Sequence, residues 1–234
     1  KIKIFSDGAD LNEISSMNDK DFIKGITTNP TLMRMSGVSD YEEFSKKVLS
    51  IVKEKPVSLE VFDDDLETIY KQARVISSWG KNVYVKLPIT NTKGEFIGQI
   101  ARKLSDEGVK LNITAIMTVS QVKNIMKYLN DEVESIISVF AGRIADTGID
   151  PIFTMKESLE IMANNKKSEL LWASPREILN IYQANELGCH VITVTPDLLK
   201  KLDLYNKNLE EYSIETVKMF YNDALKSNYK IRIK

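Results

Sequence analysis

The sequence predicts an α/β chain folded as a (β/α)8 barrel with one additional helix near its C-terminal end. Three observations carry that expectation. Short β-branched runs alternate with longer amphipathic stretches along the whole chain, several helix starts are marked by a capping side chain followed by proline, and polar residues fall on one face of successive strands near their C-terminal ends.

The strand-like runs begin near Ile2, Gly25, Val57, Asn82, Val109, Ser135, Glu169 and His190, at the spacing of βα units. Helical periodicity follows the second, third and fifth of them over residues 41–53, 66–78 and 121–129, and a last helix, Leu209–Lys226, follows the eighth unit. Asn29-Pro30, Asp150-Pro151, Ser174-Pro175 and Thr195-Pro196 each place a capping side chain before a proline suited to the first helical position. Ser39/Glu42 and Ser174/Glu177 have the spacing of a capping box. An open doubly wound sheet is the competing architecture, but no Gly-rich GxGxxG turn favours it.

Composition narrows the function classes. With 234 residues, 43% of them apolar, the chain has the material for a packed core, and its composition argues against disorder. No composition break or linker divides it, so one domain over 1–234 is expected, with 209–226 as an extra helix. A net charge of −1 gives no reason to expect nucleic acid or an anionic membrane as partner. No apolar run approaches the ~20 residues of a membrane span, and no signal-peptide pattern is read from Lys1 onward. Cys189 is the only cysteine, which rules out an intramolecular disulfide and points to a reducing, cytoplasmic setting.

Strand side chains alternate between two faces. In Val83-Tyr84-Val85-Lys86-Leu87 the apolar residues suit the helix-facing side, which places Lys86 inside the barrel. The same parity sends Asp7, Asn29, Glu60, Asn112, Thr114, Ser138, Phe140 and Ser174 inward from six other strands. Lys86 is the one member able to form an imine with a carbonyl, and it must attack as the neutral amine. Burial favours that form, whereas neighbouring acids favour the ammonium. Asp7 and Glu60 can move the protons that imine chemistry requires, or can pair with Lys86 in a buried ion network.

The remaining residues carry two readings or a plain one. Asn29 and Ser174 are expected helix caps whatever else they do. Arg143 and Arg176, just beyond strand ends, suit a phosphate clamp or ordinary rim salt bridges. His190 and Cys189 lie at the far end and read as structural. With one histidine and one cysteine, a catalytic zinc site is not expected. Asp63-Asp64-Asp65 reads as an acidic helix start rather than a magnesium site. Trp79, Trp172 and the methionines read as core.

Taken together, these residues resemble the short form of the transaldolase family. The matching segments are Phe5-Ser6-Asp7-Gly8-Ala9, Thr27-Thr28-Asn29-Pro30, Ser58-Leu59-Glu60-Val61, Val85-Lys86-Leu87-Pro88, Asn112-Ile113-Thr114, Ser138-Val139-Phe140-Ala141-Gly142-Arg143 and Ala173-Ser174-Pro175-Arg176. The resemblance implies that Lys86 is the Schiff-base lysine and that Asp7 accepts the C4 hydroxyl proton. It implies that Glu60 and Thr114 position a water and shuttle protons. Asn29, Asn112 and Ser138 would then bind the dihydroxyacetone unit, and Arg143, Ser174 and Arg176 the phosphate. The expected partners are small-molecule sugar phosphates, with fructose 6-phosphate or sedoheptulose 7-phosphate as donor. Neither a metal nor an organic cofactor is implied, and short family members point to a homo-oligomer. The family also contains fructose-6-phosphate aldolases, which release free dihydroxyacetone. These carry Gln and Tyr where this chain has Glu60 and Phe140. A non-catalytic sugar-phosphate-binding barrel is the alternative of another class. The segment 89–96, beside Lys86, is expected to influence substrate choice.

Overall fold

The structure is a computed structural model that describes residues 1–233; Lys234, the last residue of the expected 1–234 domain, lies outside the described residues. The chain divides into two compact units, Lys1–Leu199 and Lys200–Lys234.

The first unit is a closed barrel of eight parallel strands in chain order, with the last strand pairing back to the first. Its elements are β1 (Lys3–Asp7), α1 (Leu11–Asn18), β2 (Ile23–Thr27), α2 (Pro30–Met35), α3 (Tyr41–Ile51), β3 (Val57–Glu60), α4 (Leu66–Ser77), β4 (Val83–Pro88), α5 (Gly98–Asp106), β5 (Leu111–Ile116), α6 (Val119–Met126), β6 (Ser135–Val139), α7 (Ala141–Asp146), α8 (Pro151–Met162), β7 (Ser168–Trp172), α9 (Leu179–Leu187), β8 (Val191–Val194) and α10 (Pro196–Leu199). This is the expected (β/α)8 architecture.

Capping explains most helix starts. Asn29 and Asp150 cap α2 and α8, each with proline at the first position, and α10 begins at Pro196. Two expected boxes are corrected. Asp40 rather than Ser39 caps α3, accepting from the Glu43 N–H at 2.9 Å. Ser174 caps nothing, because a cap needs extended backbone and Ser174 sits at φ +58. Helix α9 starts further on, at Leu179. Asp65 of the acidic triplet caps α4, accepting from both the N–H and the hydroxyl of Thr68.

Two apolar layers enclose the strands. Val57, Leu59, Val85, Leu87 and Ile113 are fully buried on the helix-facing side. Inside the barrel, Phe5, Tyr84, Ile136, Leu171, Ala173 and Val191 form a floor, with Phe140 packed against it. Gly25 is needed beside this floor, since a Cβ there would stand 2.6 Å from the Phe5 ring. Leu171 and Ala173 correct the parity expected for the seventh strand. Ser138 of β6 registers with Leu171 of β7, so Leu171 and Ala173 are the inward residues and Trp172 faces the helices.

At the opposite, N-terminal end, Tyr84 donates to Glu134 at 3.0 Å. His190 accepts the Leu170 N–H on Nδ1 at 2.9 Å, a bond that only the unprotonated nitrogen can make. Cys189 is buried, and that burial pushes its thiol up to about 12. Both lie away from the cavity at the barrel mouth, at the end where they were expected. The methionines divide: Met33, Met155 and Met162 are buried, but Met35 and Met117 are exposed, contrary to the expectation that they fill the core. Met35 ends a two-turn helix and Met117 follows a strand, so neither has a neighbouring layer to enter.

The second unit holds a 3-10 turn, Lys200–Leu204, and α11 (Leu209–Lys226), the expected C-terminal helix. Asn208 caps α11, accepting from the Glu210 and Glu211 N–H groups. None of its residues is buried, although it carries Leu209, Ile214, Val217 and Phe220. Among the described residues, no helix is long and apolar enough to cross a membrane.

Candidate active site

The C-terminal mouth of the barrel opens onto a cavity of about 420 Å³. Of the expected site residues, Asp7, Asn29, Glu60, Lys86, Asn112, Thr114, Ser138, Phe140, Arg143 and Ser174 all line it.

Lys86 is among the residues that line it. It is 7% exposed, and its Nζ donates to the Thr28 carbonyl at 2.9 Å. Strand register places Glu60 of β3 directly opposite Lys86 on one side and Asn112 of β5 on the other. The Lys86 Nζ is 3.8 Å from Glu60 Oε2. Thr114 stands one inward step above Asn112, toward the mouth. Asn112 donates to Ser58 Oγ at 3.0 Å and accepts from Ser138 Oγ at 2.6 Å, so a buried hydrogen-bonded row crosses β3, β5 and β6. These are the partners that buried polar groups require.

Burial raises both acids. For Asp7 it outweighs the opposing pull of Lys86 and of the Thr27 hydroxyl. For Glu60 it outweighs Lys86, and repulsion from Asp7 adds to the rise. A carboxyl pushed toward neutrality exchanges protons more readily than a solvated one, and pairs of perturbed acids cluster at functional sites.

Local backbone shapes the rim. The register between β5 and β6 slips between Ile113 and Ile116, and Ala115 within this bulge has φ +61. The bulge turns Ile116 into the core while Ala115 lines the cavity. Ser174 lines it from beyond the end of β7, by its left-handed turn rather than by strand parity. Asn29 spends its Oδ1 on the α2 cap, accepting from Leu32 N–H at 2.9 Å.

Two expectations differ from the structure. Arg176 is not brought into this cavity: its guanidinium pairs with Asp146 at 2.8 Å, and it lines a separate hollow with Trp172 and Asn180. The segment 89–96 does not line the cavity either. It is held to the neighbouring loop by Asp64, which accepts from the N–H and the hydroxyl of Thr92. Conversely, Thr27, Thr193 and Thr195 line the cavity and were not among the expected residues. Thr27 shares the parity of Asn29, and Thr193 that of Val191, so alternation carried the signal. Among the described residues, no group of three or more His, Cys, Asp or Glu is placed to hold a metal ion.

A closed βα barrel with an amine and two perturbed carboxyls at its C-terminal mouth defines the class of barrel enzymes. The family model described as Transaldolase/Fructose-6-phosphate aldolase matches residues 4–231. The chain belongs to this family. It is 34% identical over 215 residues to "Probable transaldolase 2" of Listeria monocytogenes, covering 90% of this chain and 94% of that protein. It is 36% identical over 222 residues to "Probable transaldolase" of Brucella anthropi, covering 93% and 97%. A solved mandelate oxidase superposes with a TM-score of 0.54 at 13% identity, over 82% of this chain and 65% of that one, a likeness of fold alone.

Proposed function

We propose that this transaldolase-type enzyme transfers a dihydroxyacetone unit between sugar phosphates through a Schiff base on Lys86. The observation that carries the reading is the placement of Lys86, the one buried lysine or arginine among the described residues, in a cavity shared with Asp7 and Glu60.

The neutral Lys86 amine attacks the ketose C2 carbonyl. Glu60 gives the carbinolamine hydroxyl a proton, through a water held with Thr114, and water leaves to form the imine. Asp7 then takes the C4 hydroxyl proton. The C3–C4 bond breaks, an aldose phosphate departs, and the bond's electrons pass into the imine to form an enamine. The aldehyde of a second aldose phosphate accepts the enamine carbon while Asp7 returns its proton. Water then adds to the new imine and releases the product ketose. Asn29, Asn112 and Ser138 suit the hydroxyls of the three-carbon unit. Arg143 and Ser174 suit the phosphate, and Arg176 joins them only by leaving Asp146.

Borohydride reduction in the presence of fructose 6-phosphate, followed by peptide mapping, is expected to add the reduced three-carbon unit or the whole sugar to Lys86. An unlabelled Lys86 under turnover conditions would return the protein to a sugar-phosphate binder. Transfer rather than release is expected to dominate, because apolar Phe140 offers no proton donor beside the enamine. Phe140→Tyr is expected to increase free dihydroxyacetone relative to transferred product, measured by coupled assay with and without an aldose phosphate acceptor. An unchanged ratio counts against this role of Phe140.

A further inference from the structure

The eighth strand, to which the sequence reading assigned no inward polar group, contributes Thr193. Thr193 and Thr27 are 7% and 2% exposed, and their hydroxyl oxygens are in hydrogen-bond contact. Thr27 Oγ1 donates in turn to Asp7 Oδ1 at 3.0 Å. The strand that carries Asp7 runs between the other two, with Phe5 in register with Thr193 and Asp7 in register with Thr27.

A hydroxyl has one proton to give. When Asp7 is a carboxylate, the Thr27 proton is committed to Oδ1, so the Thr193 proton must fill the contact between the two threonines. The chain therefore has a direction, from Thr193 through Thr27 to Asp7. Valine would fill the same volumes in a strand without burying a hydroxyl. Successive hydrogen bonds of one polarity strengthen each other.

We infer that Thr193, acting through Thr27, is a positioning residue that holds Asp7 as the proton acceptor of bond cleavage, with Oδ1 engaged and Oδ2 turned to the substrate hydroxyl. This rests on the Schiff-base reading above. The charged groups facing Asp7 are Lys86 from β4 and Glu60 from β3, with Arg143 of α7 on the same cavity; β2 and β8 bring hydroxyls only. Lys86 and Thr27 favour the carboxylate, and burial opposes it. Loss of the relay should therefore move Asp7 further toward its protonated form.

The test is the pH dependence of kcat with fructose 6-phosphate and an aldose phosphate acceptor, run beside borohydride labelling. Thr193→Val is expected to lower plateau kcat several-fold at nearly unchanged KM and to move the acid limb to higher pH. Thr27→Val should move it further, and Thr193→Ser should restore the parental profile. Imine formation precedes cleavage, so Lys86 labelling should persist in Thr193→Val. Should that variant fail to fold, Thr193→Ala is the second removal. An acid limb unmoved in the folded variants, or a serine variant that behaves like valine, overturns the relay. Absent labelling in the parental protein defeats the Schiff-base reading instead, so the two failures are distinguishable.

Discussion

Lys86→Met is expected to reduce transfer by roughly 10⁴-fold or more, the scale of loss when a covalent nucleophile is removed, and to abolish borohydride labelling. Met keeps most of the apolar stem but cannot form an imine, so no electron sink remains for the C3–C4 bond. The structural cost is separate. The Thr28 carbonyl, which now accepts from Nζ, would lose its partner, at about 1–3 kcal/mol for a buried group left unsatisfied. Asp7 and Glu60 would lose the cation that draws them downward, and both would move further toward their neutral forms. That relieves the variant of two unpaired buried charges. The protein should therefore remain folded by urea titration while inactive by coupled assay. Retention of a tenth or more of parental transfer would require another nucleophile, and the Lys86 assignment would fail.

Gly142→Ala is expected to damage the end of the site proposed to hold the phosphate. In an exposed helix interior the same change stabilises by about 1 kcal/mol. Here a Cβ would lie 1.6 Å from the Ser174 carbonyl oxygen and 2.7 Å from its carbonyl carbon. These are backbone atoms and cannot swing away as a side-chain tip could. Gly142 also donates its N–H to Ala173 at 3.2 Å, which ties α7 closely to the segment after β7. Relief requires the two segments to part by more than an ångström, carrying Arg143 from Ser174. A cost of about 1–3 kcal/mol is expected from overpacking, together with a loss of order 10²-fold in kcat/KM from misplacement on this scale. Urea midpoints and steady-state kinetics check both. Comparing a phosphorylated with an unphosphorylated substrate localises the damage: the loss should be concentrated in the phosphorylated one. Equal losses for both would mean that the clash disturbs the whole mouth.

The sequence disclosed what depends on alternation and left hidden what depends on departures from it. Parity alone placed Lys86, Glu60, Asn112 and Ser138 in the barrel, because β3, β4, β5 and β6 are regular where those residues stand. It misplaced the seventh strand, which is apolar on both faces from Leu170 to Ala173, so that Leu171 and Trp172 were interchangeable on paper. Ser174 reached the cavity all the same, through a left-handed turn that its identity does not announce. The slip at Thr114–Ala115 is equally silent, since an alanine at φ +61 is held there by its neighbours rather than by preference. Arg176 depended on a tertiary choice: a guanidinium at the rim can serve a phosphate or an acid, and Asp146 lies within its reach. Thr193 was legible in principle, as the polar member of an otherwise apolar strand.

The seam where β8 returns to β1 has a consequence for how the molecule comes into being. On the ribosome, Lys86, Glu60 and Asp7 emerge long before Thr193, but no wall surrounds them until the final strand docks beside the first. A chain not yet closed would thus hold the Lys86 amine in water, and the chemistry proposed for it would have to wait for closure.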